Sequence, residues 1–284
     1  MSFACENLPL PQLDARPFGA RRLSALTDGA LFEACGVRIA FTGREGGQSS
    51  APYGSLNLGA HVGDSLDDVM ANRALLAEAL GAGDVPILVP NQVHGSHVET
   101  VRSQAACDVV TAQQRMAQGA DAVNVTCENV GALLCYADCT PVLIVSPSGS
   151  FSVVHAGWRG VVNGIAAKAL RQLAEEDKSE GVDLRQFASR CNVYIGPHIH
   201  SECFEVGTEV VEQFESCFGT SCIADARHVS MARALRVDLA SAGVLPQRIC
   251  DADICTVCES SDYYSYRASG GTCGRHGAIS FRKG

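Results

Sequence analysis

The order of apolar and polar positions along the chain predicts two kinds of segment. Short apolar runs bounded by glycine, proline or serine predict strands, and longer segments with apolar residues every three or four positions predict helices. The strands occur in clusters rather than in strict alternation with helices, which favours an α+β fold with a mixed sheet over a doubly wound parallel sheet. The predicted strands are VRIAF, VPILVP, HVETV, GALLCYA, PVLIVS, FSVVHAG and NVYIGPHI, and the predicted helices span residues 65–83, 161–179, 207–218 and 230–243.

The first 30 residues differ from the rest because they are rich in proline and show no clear period. We expect residues 1–30 to form an irregular arm laid on a single domain that spans residues 31–284. Residues 49–64, SSAPYGSLNLGAHVGD, also lack periodicity and contain many turn-forming residues, so they predict a structured loop. A loop followed by a closing strand is expected at the C-terminus.

Composition and charge restrict the classes of function. The chain has 284 residues, of which 46% are hydrophobic, which is enough for a substantial core. The net charge of −9 and the absence of a basic run argue against a nucleic-acid partner. No apolar run is long enough to span a bilayer, and the N-terminal residues lack the apolar core of a secretory signal. We therefore expect a cytoplasmic protein with no membrane partner, whose 14 cysteines are thiols or ligands rather than disulfides.

Cys139 and His155 are two candidate catalytic residues at the ends of predicted neighbouring strands, which the turn SPSGS would join. Such a pair can act as a cysteine nucleophile and its base. Together with His94, from the loop NQVHGS, the pair can instead provide the two imidazoles and one thiolate of a zinc site with an open fourth position. The second interpretation requires three strand ends to converge, so the residues alone leave both open.

Two further groups of residues are candidates for ligand binding. The spacing Cys255-x2-Cys258-x14-Cys273-x2-His276 is compatible with a structural zinc site, and the alternative is two loop thiols and a surface histidine. Arg44 lies in the glycine-rich turn TGREGG, where a guanidinium beside backbone N–H groups suits phosphate. The alternative for Arg44 is a solvated turn residue.

Several separated motifs together resemble one known family. NQVHGSHV, ADCTPVLI, VVHAGWRGVVNGI, YIGPHIHSECFEVG and CTVCESSDYYSYRASGGTCGR occur in the order and spacing of the laccase-domain family. TGREGGQSSAPYGSLNLGAHVGD resembles its N-terminal signature, so the resemblance covers nearly everything from about residue 37 to the end. Members were first described as multicopper polyphenol oxidases and are now described as purine nucleoside phosphorylases. One branch is known as a peptidoglycan editing factor.

The resemblance implies a fold and a set of site residues. The implied fold is one domain of mixed β-sheets packed as a sandwich with helices on the outside, in agreement with the strand pattern. The chain departs from the family at Cys273, which stands where a threonine usually precedes Gly-Arg. The implied ligands of a catalytic zinc are His94, Cys139 and His155, and the residues implied around the same pocket are Arg44, His61 and Arg275.

The resemblance also implies a reaction, in which phosphate cleaves adenosine, inosine or guanosine, with adenosine deamination as a second reaction at the same zinc. The partners would be a small-molecule nucleoside and phosphate, and we expect a monomer. Arg44 would hold phosphate, and Asp138 is a candidate proton carrier or holder of a histidine N–H. One alternative is phenol oxidation with copper, which also suits histidine and cysteine ligands. The other is amide hydrolysis of a cell-wall precursor with Cys139 as nucleophile.

Overall fold

The computed structural model describes residues 7–177 and 183–284. No helix among these residues is both long and apolar enough to cross a membrane. The strands are β1 (Asp14–Phe18), β2 (Leu23–Thr27), β3 (Val37–Thr42), β4 (Ile87–Leu88), β5 (Val98–Val101), β6 (Ala122–Val125), β7 (Val130–Tyr136), β8 (Thr140–Val145), β9 (Phe151–Ala156), β10 (Asn192–Ile195), β11 (Ile223–Asp225), β12 (His228–Val229), β13 (Ile249–Asp251) and β14 (His276–Arg282). The helices are α1 (Gly29–Cys35), α2 (Leu66–Leu80), α3 (Ala106–Met116), α4 (Trp158–Val162), α5 (Ile165–Glu176), α6 (Leu184–Arg190), α7 (Thr208–Phe218) and α8 (Met231–Ala242).

Two six-stranded sheets form the centre of the molecule. The first has the order β1-β2-β3-β14-β7-β4 and the second has the order β13-β10-β8-β9-β6-β5. Both are mixed, because β4–β7, β5–β6 and β10–β13 pair in parallel and the other neighbours pair antiparallel. The predicted α+β fold with mixed sheets in one domain is confirmed.

The alternation of side chains along the strands produces the layers. On β8, Val142 and Ile144 pack with residues of the helices α5 to α8, whereas Leu143 and Val145 belong to the core between the two sheets. Successive side chains of a strand point to opposite faces, so one strand contributes to two cores. On the outer face of the first sheet, Leu76 of α2 belongs to a third core. The result is the predicted sandwich with helices on the outside.

The prediction of an irregular arm over residues 1–30 was wrong for most of its described part. β1 and β2 form a hairpin, and β2 joins the first sheet by pairing with β3. Leu23 and Ala25 alternate into the outer core of that sheet. Pro17 hid the pattern, but β1 is an edge strand, where a residue without an N–H is tolerated.

The helix predictions were confirmed with one change. α2 begins after Ser65, whose hydroxyl accepts a hydrogen bond from the Asp68 N–H, and it ends at Gly81 in the left-handed conformation. The helix predicted over residues 161–179 is two helices, because α4 ends before Gly164, which has a φ of 65°. The last two residues of that prediction lie outside the described residues.

Candidate metal centre

Three residues from separate parts of the chain converge at one end of the sandwich. His94 lies in the loop between β4 and β5, Cys139 in the turn before β8, and His155 on β9. Antiparallel pairing places Thr140 opposite Ala156, so the start of β8 and the end of β9 meet at the same edge. The imidazole nitrogens and the thiol sulfur lie within 4.8 Å of one another. The convergence that a three-ligand site requires is therefore present.

Asp121, which sequence reasoning did not identify, holds two of these residues in place through hydrogen bonds. It is fully buried, and its Oδ1 lies 2.9 Å from Nδ1 of His155. The backbone N–H groups of His94 and Gly95 donate to the same carboxylate at 2.9 and 2.7 Å. Because Asp121 occupies Nδ1 of His155, Nε2 is the nitrogen left for a metal or for Cys139. Its only signal in the sequence is an acidic residue directly before an apolar strand.

The charges of the site favour a thiolate. Burial alone would raise the pKa of Cys139, but the charge of His155 and hydrogen bonds from His155 and His94 lower it to about 6. Burial alone would lower the pKa of His155, but the charge of Cys139 and the hydrogen bond to Asp121 raise it to about 9. Between these pKa values Cys139 is a thiolate, which is the form that binds a metal or attacks as a nucleophile. A metal ion would replace the proton on His155.

Gly157 allows the three residues to approach closely. A Cβ at this position would lie 3.1 Å from Cδ2 of His94 and 3.5 Å from the Cys139 sulfur. Even a methyl group would therefore crowd the His94 ring, and a larger side chain would push this ring away from the other two candidate ligands. The close packing of the site thus explains why the first glycine of the motif VVHAGWRG has no side chain.

An open cavity of about 510 Å³ lies above the three residues, all of which contribute to its surface. Exposure decreases from His94, which is exposed, through Cys139, which is half-buried, to His155, which is buried. The site can therefore be reached from the His94 side. The other lining residues include His61, Ile199, Phe204, Tyr266, Arg267 and Arg275.

Arg275 lies on the wall of this cavity, as predicted for it and for His61. Its Nη1 donates to the carbonyl oxygens of Cys273 and Gly274 at 2.9 and 3.0 Å, and its guanidinium lies 5.6 Å from the ring centroid of Tyr266. One edge of the guanidinium is thus fixed to the backbone. The arrangement places a permanent positive charge on the wall of the cavity that the three candidate ligands also line.

The structure places Arg44 differently from the prediction that it holds phosphate. Its Nε and Nη2 both donate to the carbonyl oxygen of Gly54, and its Nη1 donates to that of Ser260 at 2.8 Å. The guanidinium lies over the ring of Tyr264, and Arg44 is not among the described residues that line the cavity. These contacts make Arg44 a residue that joins two loops, because three of its five N–H groups donate to backbone carbonyls.

Asp138 also has a different role from the predicted one. Its carboxylate accepts hydrogen bonds from the Thr256 hydroxyl at 2.6 Å and from the Arg267 N–H at 2.7 Å, while Asp121 holds the imidazole. Asp138 has a φ of 83°, a backbone conformation that non-glycine residues rarely adopt. The two hydrogen bonds stabilise this turn, which presents the adjacent Cys139 to the cavity.

The candidate zinc set of Cys255, Cys258, Cys273 and His276 is not formed. Cys255 and Cys258 lie with Cys203 instead, within 4.8 Å of one another. His276 is buried on β14, where its Nδ1 accepts a hydrogen bond from a backbone N–H and its ring packs against three tyrosines. The spacing resembled a zinc site, but the central position of β14 in the first sheet draws His276 into the core.

Comparison with known proteins identifies the family. The sequence model of the family described as multi-copper polyphenol oxidoreductase laccase matches residues 38–283. The chain belongs to this laccase-domain family. The resemblance based on separate motifs is therefore confirmed.

Relatives of this laccase-domain protein carry two kinds of enzyme name. Purine nucleoside phosphorylase YlmD of Geobacillus stearothermophilus is 33% identical over 252 residues, which cover 84% of this chain and 88% of the relative. Adenosine deaminase RL5, from an unknown prokaryotic organism, is 30% identical over 239 residues, which cover 81% and 88%. The crystal structure of YlmD from Geobacillus stearothermophilus matches with a TM-score of 0.80 at 30% identity, over 95% of this chain and 100% of that chain. The laccase-domain protein is thus an enzyme of this family.

Proposed function

We propose that this enzyme is a zinc-dependent purine nucleoside phosphorylase that also deaminates adenosine. The observation that carries the proposal is the convergence of His94, Cys139 and His155 at the floor of an open cavity with Arg275 on its wall. The names of the two relatives support purine nucleosides as the substrate class.

The chemistry of the three residues fits zinc. Two imidazoles and one thiolate form a known ligand set of catalytic zinc that leaves a fourth position open. Asp121 fixes the tautomer of His155, as a carboxylate does for many metal-binding histidines. A zinc ion bound here would supply a Lewis acid for a substrate atom or a water molecule. Copper accepts the same ligand types, but a multicopper centre would need several such groups side by side, whereas the cavity has one among the described residues.

Phosphorolysis breaks the bond between C1′ of the ribose and the purine nitrogen, while a phosphate oxygen forms a new bond to C1′. Arg275 is suited to hold the phosphate, because its charge is permanent and its bonds to backbone carbonyls of the described residues come from Nη1 alone, which leaves the N–H groups of Nε and Nη2 for a ligand. His61 can contribute a further hydrogen bond from the rim. Tyr266 and Phe204 provide aromatic surface for the purine ring. Adenosine deamination would use the same three ligands, with water forming a bond to C6 of the purine while the C6–N bond breaks and ammonia leaves.

A second candidate function is amide hydrolysis with Cys139 as nucleophile. Cys139, His155 and Asp121 form a series of thiol, imidazole and carboxylate, which is the arrangement of a nucleophile, its base and the group that orients the base. This mechanism does not require His94. The two functions therefore differ in their dependence on that histidine.

The test measures hypoxanthine release from inosine and phosphate, together with zinc and copper content. We expect one catalytic zinc and a loss of at least about 100-fold in kcat/KM for His94→Ala and for Cys139→Ala. Mutation of a residue that only hydrogen-bonds a metal ligand already lowers activity about 10–100-fold, and loss of a ligand itself should lower it more. His97→Ala, a change of an exposed histidine in the same loop, is the matched control. Unchanged phosphorolysis in both ligand variants would refute the proposal, and stoichiometric copper would favour phenol oxidation.

A further inference from the structure

A second group of metal-binding side chains lies outside the candidate metal centre, where two short loops run side by side. The N–H of His198 donates to the carbonyl of Ile254 at 3.1 Å, and the N–H of Thr256 donates to the carbonyl of His198 at 3.0 Å. This parallel bridge aligns the loop after β10 with the loop after β13. Each loop carries a pair of ligand-type residues, and the bridge brings the pairs together.

The spacing within the pairs is that of a zinc knuckle. One loop contains His200-x2-Cys203 and the other contains Cys255-x2-Cys258. Structural zinc sites are commonly built from two such pairs, with three cysteines and one histidine as one of the standard sets. The pairs are far apart in the sequence, and only the bridge between the loops makes them neighbours.

The distances between the sulfur atoms fit one tetrahedral ion. The sulfurs of Cys203, Cys255 and Cys258 lie within 4.8 Å of one another, and those of Cys203 and Cys258 are 3.7 Å apart. Two sulfurs bound to one zinc at ~2.3 Å with tetrahedral geometry are ~3.8 Å apart. The three thiols thus have the spacing of ligands that share a cation.

His200 is the candidate for the fourth ligand, because it forms a second group with Cys255, which the two groups share. Its ring nitrogen lies within 4.8 Å of the Cys255 sulfur and of a Glu202 oxygen, and its side chain is 20% exposed. Its backbone N–H donates to the Cys255 sulfur at 3.4 Å. Hydrogen bonds of this kind from backbone to sulfur orient and stabilise a metal-bound thiolate.

We propose that Cys203, Cys255, Cys258 and His200 bind a second, structural zinc ion. Four protein ligands leave no open position for a substrate, so the ion stabilises the loops and does not take part in the reaction. The proposal is independent of the reaction at the first site, because it uses none of the residues of that site.

The second site would stabilise one wall of the catalytic cavity. Phe204, next to Cys203, lines the cavity. Arg267 of the same wall donates to the carbonyl oxygens of Cys203 and Glu205, both at 3.1 Å. The hydroxyl of Thr256, next to Cys255, donates to the carboxylate of Asp138, which precedes Cys139. Loss of the second ion should therefore loosen substrate binding without removing the catalytic ligands.

The experiment measures zinc per chain in protein purified with a thiol reductant, for four forms of the full chain. We expect two zinc ions in the wild type, one in Cys258→Ser, one in Cys139→Ser, and two in the control Cys107→Ser. Cys258 and Cys107 are both exposed, so serine at either position preserves the core. If only Cys139→Ser loses a zinc ion, the result supports the first site and contradicts the second. If only Cys258→Ser loses a zinc ion, the result supports the second site and contradicts the first.

Cobalt provides a second measurement that separates the sites. Cobalt bound by three thiolates absorbs more strongly in the sulfur charge-transfer region than cobalt bound by one, so the band should fall markedly in Cys258→Ser and slightly in Cys139→Ser. The proposal is overturned if Cys258→Ser retains the zinc content of the wild type, or if Cys203 and Cys258 form a disulfide in the reduced preparation. If His200→Ala holds zinc against a chelator as well as the wild type, the fourth ligand is wrong.

Discussion

The two groups of candidate metal ligands use the same residue types but are assembled in different ways. His94, Cys139 and His155 come from three distant segments, and the register of β8 and β9 brings them together under an open cavity. The second group comes from two local pairs on adjacent loops and has four candidate ligands. An open three-ligand site suits catalysis, and a closed four-ligand site suits structure.

The thiols of the two groups also differ in their charge. The pKa of Cys139 is lowered to about 6, because the charge of His155 and hydrogen bonds from both histidines outweigh burial. The pKa of Cys203 is raised to about 12, because burial and two neighbouring thiols all disfavour its negative charge. The first site would therefore offer a metal a thiolate that is already formed, whereas a metal at the second site would have to displace the thiol protons.

The largest expected difference is in alkylation of metal-free protein by iodoacetamide at pH 7.5. This pH is above the pKa of Cys139, which is therefore a thiolate. It is well below the pKa of Cys203, which is therefore protonated. We expect Cys139 to react at least about 100-fold faster than Cys203, because the thiolate is the reactive form. Mass spectrometry of peptides over time gives both rates. Equal rates would contradict the electrostatic difference between the two sites. As a control, zinc added before iodoacetamide should protect both cysteines from alkylation.

A smaller effect is expected from Asp121→Asn compared with Asp138→Asn. The first change removes the charge that orients His155 and should lower zinc affinity and kcat/KM by about 10–100-fold. The second weakens a turn and should act mainly on thermal stability, since Asp138 contacts Thr256 and a backbone N–H. Titration with a zinc chelator and inosine kinetics measure both variants. A larger loss of zinc affinity in Asp138→Asn would reverse the two assignments.

The smallest expected effects distinguish Arg275→Ala from Arg44→Ala. Without Arg275 we expect the KM for phosphate to rise at least about tenfold, since a hydrogen bond to a charged group contributes ~1.5 kcal/mol or more. Without Arg44 the KM should change little, and the melting temperature should fall, because three bonds to loop carbonyls are lost. Phosphate-dependent kinetics and thermal melts decide between them. If Arg44→Ala alone raises the KM for phosphate, Arg44 is the phosphate ligand after all.

Sequence reasoning predicted the layers and the three candidate ligands because both leave local signals. Alternation marks the strands, and the motifs around His94, Cys139 and His155 stand out at strand ends. Asp121 was not found, because a buried carboxylate looks like any acidic residue until its imidazole partner is beside it. Arg44 has the residue type and glycine-rich context of a phosphate ligand, and only the folded structure shows that three of its five donors bind the carbonyls of Gly54 and Ser260.

The same limit explains the second site. Cys255-x2-Cys258 is half of a zinc pattern, and residue spacing alone indicates Cys273 and His276 as its partners. The bridge between two loops selects Cys203 and His200 instead, and pairing of loops that lie 55 residues apart along the chain leaves no trace in residue spacing. A pair of ligands with local spacing can be recognised in the sequence. Which two pairs come together depends on how β10 and β13 are paired in the second sheet.

The most direct test of the central claim is a crystal structure with anomalous data collected at the zinc absorption edge. We predict a strong anomalous peak bonded to the Cys139 sulfur, to Nε2 of His155 and to a nitrogen of His94, with Nδ1 of His155 still on Asp121. The claim would be contradicted by protein that is active in phosphorolysis and shows no anomalous peak there, with the Cys139 sulfur bonded only to a proton shared with His155.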